Sequence, residues 1–185
     1  MEIQRGFAVW LTGLSGAGKT TLSKLLSIEL QTKRNIRVEV LDGDIVRSHL
    51  SKGLGFSKED RDINILRIGW VAGLLTRHGV PTVIAAISPY RDTRNGVRKI
   101  IESESGKGSF IEVFVEAPIE VCEFRDPKGL YGKARRGEIK NFTGIDDPYE
   151  PPLNPEIHLR TDQMNPEECL EVIISYLKIN QFLSG

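Results

Sequence analysis

Cysteine is scarce: the chain has two, Cys122 and Cys169, at no metal-ligand spacing. That count excludes a disulfide framework and a thiolate-rich metal cage, so both are expected to be packing residues. Its three histidines, His49, His78 and His158, are scattered without ligand spacing and read as structural or surface residues. No apolar run approaches the ~20 residues that cross a bilayer. The opening Met-Glu-Ile-Gln-Arg carries no apolar signal core, so a cytoplasmic location and no membrane contact are expected. Neither sign of charge dominates: Lys+Arg and Asp+Glu number 25 each, so no global field draws nucleic acid. Low-complexity tracts are absent too. What remains is 185 residues, 39% of them apolar, enough for one packed domain over residues 1–185.

What is present declares itself at residues 7–20. The apolar run Phe7–Thr12 reads as a buried strand and feeds directly into Gly-x-x-x-x-Gly-Lys-Thr. A helical pattern follows, with Leu22, Leu25, Leu26 and Leu30 as one stripe. Glycines at 13, 16 and 18 let the chain fold tightly, so that backbone N–H groups of Gly13, Leu14, Ser15, Gly16, Ala17 and Gly18 can turn toward phosphate oxygens. Lys19 can reach the outer phosphates, the hydroxyl of Thr20 can ligate magnesium, and the helix that carries Thr21 adds its positive end.

Strand and helix patterns alternate beyond it. Residues 37–41 read as a second strand, followed by the Asp42-Gly43-Asp44 turn and a short helix near 46–50. Ser57 and Asp60 cap a long helix that is expected to turn Ile65, Ile68, Ala72 and Leu75 inward. Residues 80–87 read as a strand buried on both faces. Helices over 91–104 and from Pro118 flank a strand at 110–115. A last strand at 157–159 precedes a helix with Asn165 as N-cap, Pro166 at its first position and Glu168 closing a capping box. Trp10 and Trp70 are both expected in the core. Residues 126–155 break the rhythm, are rich in Gly, Pro, Lys and Arg, and read as a lid. This alternation predicts an α/β fold of the P-loop NTPase type: a parallel sheet with helices on both faces and a mobile lid. Its ligand crevice lies where the loops leave the carboxyl ends of the strands, at Gly13, Asp42, Ser88 and Ala117.

Candidate chemistry clusters on those loops. The Asp42-Gly43-Asp44 turn offers a carboxylate to bind magnesium through water or to accept a proton from a hydroxyl nucleophile. Arg47, Arg61, Asn64 and Arg67 can present planar forks to phosphate or sulfate oxygens. Ile87 and Ser88 end the most buried strand, where backbone groups face an acceptor and the Ser88 hydroxyl can contact a phosphate or accept one. Lid cations around Lys128 can close over phosphates and exclude water, and Phe56 and Phe142 can stack on a purine. With no Asn-Lys-x-Asp motif, a guanine-nucleotide switch is disfavoured. Another small-metabolite or nucleotide kinase and a catalytically silent nucleotide sensor are the competing readings. The latter is expected to lack Lys19, Asp44 or the lid cations, and all are present.

Together these segments resemble the adenylylsulfate kinase family over nearly the whole length. The resemblance rests on Gly-Leu-Ser-Gly-Ala-Gly-Lys-Thr-Thr (13–21), Leu-Asp-Gly-Asp (41–44) with Arg47, and Leu-Gly-Phe-Ser (54–57) with Asp60, Arg61, Asn64 and Arg67. It continues through Ile-Ser-Pro-Tyr-Arg (87–91), Arg-Asp-Pro-Lys-Gly-Leu-Tyr (125–131) and Gly-Glu-Ile-Lys-Asn-Phe-Thr-Gly-Ile-Asp (137–146). It implies transfer of the γ-phosphoryl of ATP, with Mg2+, to the 3′-hydroxyl of adenosine 5′-phosphosulfate. It also implies a homodimer and functional coupling to ATP sulfurylase. By that resemblance residues 13–21 hold ATP. Asp44, Arg47, Arg61, Asn64, Ile87, Ser88 and Lys128 line the acceptor site, with Phe56, Gly137 and Phe142 around its adenine. Lys19, Asp44 and Ser88 are the catalytic candidates, Asp44 as proton acceptor and Ser88 as a contact that can become phosphorylated. Three positions depart from the family pattern: Ile63 and Trp70 stand where Glu is usual, and Gly132 where Lys is frequent.

Overall fold

The structure, a computed structural model, describes residues 6–184. The N-terminal Met-Glu-Ile-Gln-Arg, read above for its lack of a signal core, lies outside the described residues. In chain order the elements are β1 (Ala8–Thr12), α1 (Lys19–Ile28), β2 (Glu39–Asp42), α2 (Gly43–Ser48), α3 (Lys58–Arg77), β3 (Thr82–Ala85) and α4 (Arg91–Ser105). Then come β4 (Phe110–Glu116), α5 (Ile119–Arg125), α6 (Leu130–Arg135), β5 (Ile157–Arg160) and α7 (Pro166–Ile179). One π-helical turn, Glu29–Lys33, extends α1. Among the described residues no helix is long and apolar enough to cross a membrane.

The five strands form one parallel sheet in the order β2-β3-β1-β4-β5. Side chains alternate across it. Val9 and Leu11 enter one apolar cluster with Leu22, Leu26, Ile173 and Leu177 of α1 and α7. Ala8 and Trp10 enter another with Ile65, Ile68, Val97 and Ile101 of α3 and α4. A sheet covered on both faces needs apolar residues at every strand position, and β1 and β3 are buried throughout. The chain leaves β1 toward β2 and β3 on one side and continues to β4 and β5 on the other, so the loop after β1 lies at the topological switch point.

Differences from the expected elements are local. β2 begins at Glu39 rather than Arg37, because its ladder with β3 starts at the Glu39–Thr82 pair. It runs one residue further, so that Asp42 both ends the strand and caps α2, its Oδ1 accepting from Asp44 N–H at 3.0 Å. Leu75 is only partly buried. Trp70 is not in the core: it is 60% exposed. α3 turns Ile65, Ile68 and Ala72 to the sheet and Gly69 to α4, where an added Cβ would meet Val97 Cγ2 at 2.7 Å. Position 70 is one residue round from that contact and points outward. The expected caps at Ser57 and Asn165 are both present, the second as a complete capping box. Segment 126–155 contains an unforeseen helix, α6, started by Asp126, whose Oδ1 and Oδ2 accept backbone N–H groups of Leu130, Tyr131 and Gly132. It sends Tyr131, Ala134 and Phe142 into the α1–α7 core.

Candidate active site

The loop between β1 and α1 owes its shape to three glycines with positive φ, Gly13, Gly16 and Gly18. At Gly13 a Cβ would lie 2.1 Å from the carbonyl oxygen of Val115, so only glycine lets the loop pass over β4. Gly18 caps α1 with no side-chain hydrogen bond to its first turn, which leaves those N–H groups turned to an incoming anion. Leu14, Ser15 and Ala17 complete the turn, and Thr21 is exposed on the first turn of α1. Lys19 is 8% exposed, and its ammonium donates to the carbonyls of Gly13 (2.9 Å) and Leu14 (2.7 Å). Burial pulls its pKa down from 10.5 to about 8.

The end of β2 and the first turn of α2 deliver two carboxylates to this loop, Asp42 and Asp44. Thr20 Oγ1 donates to Asp42 Oδ2 at 3.0 Å, and Asp44 is ion-paired with the Lys128 ammonium from the segment before α6. Hydroxyl and carboxylate oxygens are the hard donors that Mg2+ prefers. Among the described residues no group of three or more His, Cys, Asp or Glu side chains stands ready to hold a metal alone. The donor set therefore fits an ion shared with nucleotide phosphates, with Thr20 and Asp42 on the protein side. Of the two carboxylates that the Asp42-Gly43-Asp44 turn offers for magnesium or for a proton, it is Asp42 that meets Thr20.

The anion-facing residues gather on α2, α3 and the loop between them. Phe56 is 56% exposed, with the Arg47 guanidinium 4.5 Å and the Arg61 guanidinium 5.9 Å from its ring centre. Arg47 also donates to the Gly55 carbonyl at 2.9 Å, and burial followed by the charge of Arg61 lowers its pKa. Arg61, 7% exposed, donates to the Phe56 carbonyl (2.9 Å), to Thr143 Oγ1 and to the Asn141 carbonyl. It therefore ties α3 to the 126–155 segment. Asn64 is buried, and its Oδ1 has no hydrogen-bond partner among the described residues. Arg67 points away to the Leu50 carbonyl at 3.2 Å.

At the end of β3 the Ile87 carbonyl accepts from Thr12 Oγ1 (2.7 Å) and Gly13 N–H (3.4 Å). Ser88 adopts φ 48° and is 1% exposed, and its Oγ accepts from Trp10 Nε1 at 3.0 Å. The hydroxyl is thus turned into the core toward Trp10. Phe142 is buried with its ring edge-on to Tyr131, centroids 5.0 Å apart, whereas Gly137 lies in open space with φ 75°.

Two residues escaped the sequence reading. The Tyr131 hydroxyl donates to the Ser15 carbonyl at 2.9 Å, stitching α6 to the phosphate loop. Arg94, on the first turn of α4 and 2% exposed, donates to Glu112, to the Ser88 carbonyl and to the Glu150 carbonyl. Only the spacing of Arg94 from Val97 and Ile101, three and then four residues along the inward face of a helix, points to it in the sequence.

The sequence model of the adenylylsulphate kinase family matches residues 5–160. The chain belongs to that family. An adenylyl-sulfate kinase from Rippkaea orientalis is 63% identical over 92% of this chain and 90% of its own length. That from Microcystis aeruginosa is 62% identical over 90% and 88%. Among solved structures, the Mycobacterium tuberculosis APS kinase in complex with AMPPNP and APS superposes with a TM-score of 0.88. It is 44% identical, over 94% of this chain and 98% of its own. A hexameric APS kinase from Thiobacillus denitrificans matches with TM-score 0.75 and 37% identity, over 98% of this chain and 30% of that longer one. The fold class, including its P-loop architecture, is shared with these kinases.

Proposed function

We propose that this enzyme is an adenylylsulfate kinase: it transfers the γ-phosphoryl of ATP to the 3′-hydroxyl of adenosine 5′-phosphosulfate. What carries the reading is the juxtaposition, in a chain of this family, of Lys19 and its phosphate loop with Asp44 and Lys128. ATP lies with its phosphates in the 13–21 loop. Thr20 and Asp42 would hold the accompanying Mg2+, which would supply neutralising charge to the phosphates when bound. Arg47, Arg61, Asn64, Phe56, Phe142 and Gly137 receive the acceptor. The buried, unpartnered Asn64 Oδ1 supports this, since an acceptor for hydrogen bonds inside a site awaits a donor.

In the transfer step the acceptor oxygen forms its bond to phosphorus as its proton passes to the Asp44 carboxylate. The bond from the γ-phosphorus to the bridging oxygen breaks, and ADP leaves with that electron pair. Lys19 and Lys128 offset the charge that accumulates. The lid function of 126–155 belongs to the same proposal, because Arg61 and Tyr131 tie that segment to both halves of the site. So do a homodimeric state, a cytoplasmic location and coupling to ATP sulfurylase.

The test is ATP and Mg2+ with purified protein, with and without adenosine 5′-phosphosulfate, reading ADP and the 3′-phosphorylated product. Acceptor-dependent product upholds the reading, and ADP release without it sinks it. Asp44→Asn is expected to lower kcat by about a hundredfold, as loss of a general base does, with little change in KM for ATP. Ser88→Ala is expected to keep most of its turnover, because its hydroxyl serves Trp10. The cost appears in stability instead, at about 1 kcal/mol for the stranded indole N–H. Abolished turnover in a folded Ser88→Ala protein would restore Ser88 to the reaction path.

A further inference from the structure

Three parts of the site meet at one buried hydroxyl. Thr12 ends β1, directly before the phosphate loop, and its Oγ1 donates to the Ile87 carbonyl at 2.7 Å. The Ser88 carbonyl lies further off, at 3.4 Å. On its other side Thr12 Oγ1 stands 2.9 Å from the hydroxyl of Tyr149, which comes from the 126–155 segment. Thr12 has one hydroxyl proton, and the shortest contact, to a carbonyl that can only accept, takes it. The Tyr149 hydroxyl must therefore donate to Thr12 Oγ1. Desolvation pushes the pKa of that phenol up to about 12, so it keeps the proton it donates.

Its neighbours hold Tyr149 rigidly. The ring stacks on Phe114, centroids 5.9 Å apart and planes at 16°, with the Arg94 guanidinium 5.8 Å from its centre. The next residue is clamped on both sides: Glu150 N–H donates to the Pro89 carbonyl at 2.8 Å, and the Glu150 carbonyl accepts from Arg94 at 2.7 Å. A rigid frame thus delivers the hydroxyl to Thr12. Phenylalanine would fill the same space, so packing does not account for the hydroxyl. We propose that Tyr149 is a positioning residue for the acceptor: by donating to Thr12 it fixes the Thr12 proton on the Ile87 carbonyl, and so sets the wall at Ile87 and Ser88 against the phosphate loop. Without that donation the Thr12 hydroxyl can turn its proton between the Ile87 and Ser88 carbonyls, and the strand end loses its single arrangement. Gly13 N–H bonds the same Ile87 carbonyl at 3.4 Å, so the loosening reaches the first residue of the loop. The role rests on the function proposed above, in which Ile87 and Ser88 face the acceptor.

Tyr149→Phe keeps the ring and removes the donor. It is expected to raise KM for adenosine 5′-phosphosulfate about tenfold, the effect of one buried hydrogen bond, while KM for ATP holds. A merely structural role would move both together. Thr12→Val removes the hydroxyl at the other end and is expected to cost at least as much. The double variant Tyr149→Phe/Thr12→Val is expected to lose little beyond Thr12→Val alone, since the two side chains act through one bond. Thr12→Ser keeps the hydroxyl and is expected to keep the acceptor KM. Amide hydrogen exchange at Gly13, expected to be several-fold faster in Tyr149→Phe, reads the same junction without turnover. An equal rise in both KM values, or losses that multiply in the double variant, overturns the positioning role. A wild type that makes no product from adenosine 5′-phosphosulfate overturns the acceptor reading and this role with it. Product formation with acceptor KM and Gly13 exchange both unmoved in Tyr149→Phe overturns this role alone.

Discussion

Lys19→Ala is expected to lower kcat by about a thousandfold while leaving a folded protein. The side chain sits on the first turn of α1, and its hydrogen bonds go to the loop it serves, at the Gly13 and Leu14 carbonyls. Burial holds its pKa near 8 in the free protein. Phosphate oxygens favour the charged form, so bound nucleotide raises that value again. Since kcat/KM reports groups of the free enzyme and kcat those of the complex, kcat/KM for ATP is expected to fall as pH rises through about 8, with kcat holding to higher pH. Stability carries the opposite sign. A lysine whose pKa is lowered by folding binds its proton more readily in the unfolded chain. Its burial therefore penalises the fold below about pH 8, and the penalty lifts as pH rises from there toward the unfolded value of 10.5. Denaturant unfolding of wild type and Lys19→Ala across that window checks this. The difference in stability between them should move in favour of the wild type as pH rises, and a flat difference would contradict the buried-cation account.

The parts of this molecule that were legible in the sequence are those whose cause is local. The phosphate loop is a run of glycines with fixed spacing, and Gly13, Gly16 and Gly18 all adopt the positive φ that spacing implied. The α7 capping box is a four-residue pattern that folds as read. Trp70 shows where such reading stops. α3 carries apolar residues on several sides, so periodicity alone does not say which side meets the sheet. The close approach of α4 at Gly69 decided it. The lid segment was misread in part for a related reason. Tyr131, Ala134 and Phe142 are too widely spaced to form a periodic stripe, yet the loop's path brings all three to one core. The site residues divide in the same way. Arg61 was found from its neighbours in sequence, but its bonds to Asn141 and Thr143 reach some 80 positions along the chain. No local pattern contains that distance.

Arg94→Leu is expected to destabilise the protein by about 3–5 kcal/mol, the cost of breaking a buried ion pair by removing one partner. Its guanidinium is shared three ways: Nε to Glu112 Oε1 (2.7 Å), one terminal nitrogen to the Ser88 carbonyl (2.6 Å), the other to the Glu150 carbonyl (2.7 Å). Glu112 is 7% exposed, with only a longer contact to Arg98 at 3.5 Å in reserve. Leucine therefore strands a carboxylate and the Glu150 carbonyl, and leaves the Ser88 carbonyl only the longer contact from Thr12 Oγ1 at 3.4 Å. Ser88 depends on this arrangement more than its neighbours do. A serine at φ 48° lies in the left-handed region and persists there only when surrounding bonds hold it. Trp10 grips its hydroxyl and Arg94 its carbonyl. The same guanidinium anchors Glu150, whose N–H bonds the Pro89 carbonyl at 2.8 Å, at the far end of the lid segment. Stability and turnover should consequently part company in the double variant Arg94→Leu/Glu112→Leu. With both charges gone, most of the lost stability returns in thermal unfolding. Turnover stays low, because the Glu150 carbonyl remains without its Arg94 donor and the strand end facing the phosphate loop is held only by the bonds of Thr12 and Trp10. Recovery of both together would reduce Arg94 to a counter-ion for Glu112. Recovery of stability alone identifies it as the residue that positions the acceptor wall against the loop.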